Sequence, residues 1–279
     1  MSPYRSLAWS VLGFFACAGQ ASAGWVIDQV VKGDNEAGKQ QVALQTNQMK
    51  TLILGADGKP QMAFILDLNA ETLTQVNYQE RSYMTTKVQE YAQVLQGAMK
   101  GAMGEMEKAM KDMSLEERQM MEQMMGSKMP QAGPKAGACR EPRVEMRKTG
   151  QQAVIAGYPA VGYELSADGK AESELWIAKG ITAWKEMDPK KLERVMGELV
   201  KVAPRCGPSS GRQSGVGGDQ AWKLAGEGYP VRIVDRSGGG ATVEVVKAES
   251  RAVPVSEFQP PANFARQTLS EMIDRKSVV

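Results

Sequence analysis

Apolar residues recur at every second position in Met62, Phe64, Leu66 and Leu68. That is the period of a strand with one face against a core. From Trp25 to Arg81 the chain keeps this habit, with strand-length runs separated by turns such as Ala56-Asp57-Gly58-Lys59. Asp-Gly suits a tight hairpin turn, and it returns in Ala167-Asp168-Gly169-Lys170. The pattern predicts an antiparallel meander. Near Tyr83 the period changes. From about Thr86 to Met125 the chain is rich in Ala, Met, Glu, Gln and Lys and has no proline, a composition of strong helix formers. Ser114-Leu115-Glu116-Glu117 has the spacing of a capping box and predicts the start of a second helix. A helical hairpin at about 86–126, inserted between strands, accounts for both features.

Strand-length segments follow at 143–148, 153–156, 161–165 and 173–178, bounded by Gly, Pro or polar residues. Within the last of them Trp176 must point away from Leu175 and Ile177, giving one sheet face a large aromatic. It suits either ordinary packing or the wall of a cavity. Asp188 and Pro189 offer an N-cap and a first-turn proline to a helix whose apolar stripe is Leu192, Val195, Met196, Leu199 and Val200. Residues 207–219, mostly Gly, Ser, Arg and Gln, have almost nothing to bury and predict a flexible loop. Strands are expected again at 229–234 and 241–247, and a short packing helix at 264–273. Gly157-Tyr158-Pro159 and Gly228-Tyr229-Pro230 both read as strand entries.

The amino terminus changes the picture. Arg5, the apolar run from Leu7 to Ala18 and the small triplet Ala21-Ser22-Ala23 describe an export signal peptide cut after Ala23. The run is well short of the roughly 20 residues needed to span a bilayer. Cys17 raises lipidation as an alternative, although Phe14 stands where a lipoprotein leader carries a smaller aliphatic residue. A single domain is expected over 24–279, in the periplasm, with no transmembrane span after processing. Removing the leader's Arg5 from the 34 basic residues leaves 33 against 32 acidic ones. That balance points to no nucleic-acid partner.

Cys139 and Cys206 alone survive processing, and an even pair in an oxidising compartment predicts a disulfide, with two free thiols as the alternative. Histidine is absent. This removes the usual general base, the Ser-His and Cys-His nucleophile pairs and His-based metal sites. The glycines of Gly215-Val216-Gly217-Gly218 lack the Lys-Ser/Thr ending of a phosphate loop. Acid pairs such as Glu116-Glu117 and Glu172/Glu174 read as solvated surface. No enzyme, cofactor or resident metal is expected.

Met99, Met103, Met106, Met110 and Met113 step by four and three residues along one stripe of a helix. Such a stripe can be the seam between packed elements, or an adaptable apolar surface for a lipid or partner. A third reading is Cu(I) held by thioethers. Gly97, Gly101 and Gly104 beside it weaken the helix by about 1 kcal/mol each relative to Ala, which suits a movable element.

The order of Phe64-Ile65-Leu66-Asp67, Tyr83 before a Met-rich segment, Gly157-Tyr158 with Tyr163, and Glu174-Leu175-Trp176-Ile177 resembles a family of uncharacterised exported bacterial proteins. That family, known as a domain of unknown function, is similar to the LolA/LolB-type lipoprotein-carrier superfamily. The resemblance implies an α+β fold: a curved antiparallel sheet, an open half-barrel, with helices on the concave side. It also implies a hydrophobic cargo and carries over no catalytic residues. The leading expectation is therefore a non-catalytic periplasmic protein holding a lipid, acyl chain or lipidated partner in an apolar cavity. Met99, Met103, Met106, Met110, Met113 and Trp176 are its ligand-binding candidates. The alternatives are an envelope-assembly factor docking a protein through its Met-rich helices and, third, Cu(I) binding.

Overall fold

A computed structural model describes residues 23–33, 37–112, 143–200, 226–236 and 240–271. The first half is a run of strands: β1 (Ala23–Lys32), β2 (Ala37–Gln45), β3 (Gln48–Leu54), β4 (Pro60–Asp67), β5 (Thr72–Asn77) and β6 (Ser82–Lys87). Helix α1 (Val88–Asp112) follows β6 without a break. Then come β7 (Val144–Ile155), β8 (Tyr158–Ala167), β9 (Lys170–Ala178), a short 3-10 turn (Ala183–Glu186) and helix α2 (Pro189–Val200). The chain closes with β10 (Tyr229–Asp235), β11 (Thr242–Ala252), a second 3-10 turn (Val255–Phe258) and β12 (Ala265–Arg266).

All twelve strands join one sheet in the order β12-β6-β5-β4-β3-β2-β1-β11-β10-β9-β8-β7. The sheet is curved and not closed into a barrel. Two meanders meet where β1 pairs with β11, so the first and last long strands lie side by side in mid-sheet. Every pairing is antiparallel except that of β12 with β6. The α+β class and open sheet expected from the sequence are what the chain forms.

Alternation sends side chains to two faces. Trp25, Ile27, Val42, Leu44, Leu66 and Leu68 belong to the first hydrophobic cluster, together with Trp176, Tyr229 and, from α2, Leu192 and Val195. The intervening Val26, Ala43, Ala63 and Ile65 form a second cluster, covered by Val253 and Phe258 of the C-terminal segment. Both faces of the central strands are thus buried. A third cluster joins Tyr163, Leu165, Leu175 and Ile177 on the other side of β9 from Trp176. Trp176 and its two neighbours therefore alternate as the sequence predicts.

Some local expectations change. Segments 143–148 and 153–156 are one strand, β7, which bulges around Gly150 (φ 79°) between its two stretches of pairing with β8. Asp57-Gly58 lies within a longer loop in which Gly58 donates to the Gly55 carbonyl at 2.9 Å, whereas Asp168-Gly169 makes the two-residue hairpin. The expected helix does not begin at Phe264; helical residues start at 269, capped by Thr268, and run to the end of the described residues at 271. Ala265–Arg266 adds the parallel edge strand β12, and Phe264 packs edge-on against Tyr78, 5.5 Å between centroids. An edge backbone at β6 with free hydrogen-bonding groups outweighs helix propensity there.

Candidate functional site

Helix α1 carries the largest departure from ordinary packing. Its first turn is core: Val88 and Ala92 are buried, and Val88 lies in the first cluster. From Gln93 to Ala98 six consecutive residues are exposed. At 3.6 residues per turn six positions go right round a helix, so every side of this stretch reaches solvent, although Val94 and Leu95 are each more than half covered and α1 packs against α2. Val94 is 37% and Leu95 36% exposed, among the large apolar residues left open on the surface. Gln93, Gln96 and Gly97 between them explain why the stretch does not lie on the sheet, since they give a helix little to bury. Neither Val94 nor Leu95 belongs to the first cluster.

The backbone of Met99, Met103, Met106 and Met110 continues along α1. Met113 lies outside the described residues, as do Cys139 and Cys206 with their expected disulfide, the second helix of the hairpin and the loop at 207–219. A Cβ at Gly97, Gly101 or Gly104 would meet nothing within 4 Å, so these glycines serve no close packing.

Trp176 sits in the first cluster at 8% exposure, with its indole N–H donating to Glu174 Oε1 at 2.7 Å. Glu174 also pairs with Arg236. Nearby, Trp184 stacks on Tyr229, with centroids 5.6 Å apart. Tyr229 receives a hydrogen bond from Gln29 Nε2 at 3.3 Å, and Gln29 Oε1 accepts from Gln40 at 2.6 Å. Burial drives the Tyr229 hydroxyl well above the ordinary tyrosine value. The aromatic face beneath α2 is therefore packed and internally bonded.

On the other side of β9, Tyr163 donates to Glu227. Its pKa rises from 10.0 to about 12, first through burial and then through the hydrogen bond to Glu227 and its negative charge. Among the described residues no group of three or more His, Cys, Asp and Glu could hold a metal ion.

A shallow open depression of about 660 Å3 lies where the β2–β3 turn meets the start of α2, lined by Thr46, Asn47, Lys185, Glu186, Met187, Asp188, Pro189 and Lys190. Asn47, Glu186 and Asp188 bond one another across it. Asn47 donates its backbone N–H to the Glu186 carbonyl at 2.7 Å and accepts the Asp188 N–H on Oδ1 at 2.6 Å. Asp188 Oδ1 caps Lys190 N and Lys191 N at 2.9 and 3.1 Å, as the sequence predicts. These bonds hold α2 on the sheet. Sequence reasoning missed Val94 and Leu95, and their adjacency gives no signal, because neighbours about 100° apart on a helix can share one apolar stripe, as Val195 and Met196 do on α2.

Among the described residues no helix is long and apolar enough to cross a membrane. No protein-family model and no curated protein sequence matches the chain. Among solved structures, an uncharacterised conserved protein from Thermus thermophilus is similar at TM-score 0.42, with 10% identity over 89% of this chain and 91% of that one. MucB in complex with MucA(peri) is similar at TM-score 0.38 and 10% identity, over 89% of this chain and 58% of that one. The Pseudomonas aeruginosa MucA/MucB complex gives TM-score 0.36 and 8% identity, over 89% and 59%. The chain thus spans less than two thirds of the MucB chains. At these values none of the three assigns a function.

Proposed function

We propose that this is a non-catalytic exported protein that docks an apolar partner surface through α1, with the curved sheet as a rigid base. The observation that carries the reading is the turn and a half from Gln93 to Ala98, in which every residue reaches solvent, Val94 and Leu95 included. A helix anchored at one end by Val88 and Ala92 and exposed beyond gains stability by burying its apolar side chains on a partner. Each square ångström of apolar surface so removed from water is worth about 25 cal/mol. The methionines that continue the helix suit a surface that adapts to its partner. A photo-crosslinking residue at Leu95, with one at the exposed Val154 on β7 as an apolar control, tests the reading in cells. Adducts are expected from Leu95 alone and lost when Val94 becomes Lys. Equal adducts from both positions overturn it.

A lipid or acyl cargo is the second reading. It is favoured by the aromatic first cluster under α2, where Trp25, Trp176 and Tyr229 would meet an alkyl chain once α2 lifts. Lipid mass spectrometry on the protein purified with its natural contents decides it. A stoichiometric lipid supports a cargo, and none, with no uptake of added fatty acid, removes it.

A further inference from the structure

The bond between Ala23 and Gly24, where the leader is expected to end, lies inside β1 of the finished sheet. Ala23 pairs with Ala252 and Gly24 with Arg251 on β11. From Trp25 onwards the strand's other edge is taken by β2, beginning with Leu44. The four residues that follow the bond, Gly24 to Ile27, are all buried. At Gly24 the fit is closest: a Cβ there would lie 2.5 Å from the Leu44 carbonyl oxygen and 3.0 Å from Oε1 of Gln45.

An enzyme that cuts a peptide bond holds the substrate extended, bonding its backbone as an added strand. At the junction β11 holds one edge of this backbone, and β2 closes the other from Trp25 onwards with the Leu44 carbonyl against Gly24, so the folded strand cannot offer it. Fraying at Ala23 does not help, because Trp25, Val26 and Ile27 would also have to leave the core, in the middle of the sheet. We propose that leader removal precedes entry of β1 into the sheet, and that a chain folding with its leader still attached seals the junction. Cleavage and docking of β1 compete for one backbone, and a chain that folds first keeps its leader. The proposal rests on residues 1–23 being a cleaved leader.

The test uses the full-length chain and a purified bacterial leader peptidase, with the chain either folded or held in urea just past its unfolding midpoint. Unfolded chain is expected to be cut before Gly24, and folded chain at least about tenfold more slowly. A variant with a short flexible Gly-Ser segment between Ala23 and Gly24 moves the junction off the sheet, and its folded form is expected to be cut as fast as its unfolded form. Equal rates for folded and unfolded parent chain overturn the sealing. If the peptidase cuts no form before Gly24, or the exported protein begins at another residue, the leader reading itself falls, and the proposal with it.

Discussion

Asn47 Oδ1 accepts the backbone N–H of Asp188 at 2.6 Å, so the tip of one hairpin holds the first residues of a helix 141 positions along the chain. The turn is bent to do so: Thr46 and Asn47 both have positive φ, 46° and 66°. Asparagine tolerates that region better than most residues. Asn47→Ala should therefore cost about 1–2 kcal/mol, from the lost hydrogen bond and the less tolerant backbone. Asp188→Ala should cost about 1 kcal/mol as a lost N-cap. Because both act on the same helix start, the double variant should lose less than the sum. Urea midpoints of the four chains measure this.

Gly228 precedes β10 with φ +147°, and a Cβ there would lie 2.3 Å from the carbonyl oxygen of Ala178. That atom is backbone, in a strand already paired with β10, so it has nowhere to go. Gly228→Ala should destabilise by about 3 kcal/mol or more, combining a disfavoured φ with overpacking. Gly157, at φ +84° with open space around it, provides the contrast. Gly157→Ala should cost about 1 kcal/mol, the backbone preference alone. Thermal or chemical unfolding of the two variants separates clash from conformation.

Local signals in the sequence found local structure. Asp188-Pro189 marked the start of α2 because a side-chain cap and a fixed φ act within one turn. Asp168-Gly169 marked a hairpin because its backbone must turn through positive φ, and both residues do. Long-range pairing left no such mark. Nothing in β1 or β11 alone says that they are neighbours, and the parallel β12 is chosen by the free edge of β6 rather than by its own residues. At the candidate site, the Met stripe at helical spacing was legible, yet periodicity gives a helix's faces and not what they face. Six exposed positions in a row need the fold to be seen.

Tyr163 gives a dependence on pH. Its folded pKa, about 12, exceeds the ordinary 10.0, so the folded state holds the proton more tightly than the unfolded state. The resulting stability is fully present below pH 10 and is lost as pH rises through about 12. Tyr229, raised in the same direction, adds to the alkaline fall. Tyr163→Phe should remove its share and flatten the urea midpoint between these values, while lowering stability at neutral pH through the lost bond to Glu227. An unchanged alkaline slope would show that the phenol does not titrate within the fold.

The division of α1 into an anchored turn and an open stretch makes opposite demands on two apolar positions. Val88 is 2% exposed and packs in the first cluster, so Val88→Ala should destabilise by about 2 kcal/mol through lost burial and the small cavity left behind. Leu95, seven residues on, is 36% exposed, and Leu95→Gln should cost about 1 kcal/mol, less than Val88→Ala. Binding should respond the other way. Leu95→Gln removes an apolar contact from the proposed docking surface and should weaken capture of its partner, whereas Val88→Ala leaves that surface intact below the unfolding midpoint. The comparison distinguishes docking from packing, because a helix that merely closes the core would show both variants losing stability together. If Leu95→Gln proves as costly to folding as Val88→Ala, the open stretch is part of the core in solution and the docking role of α1 fails.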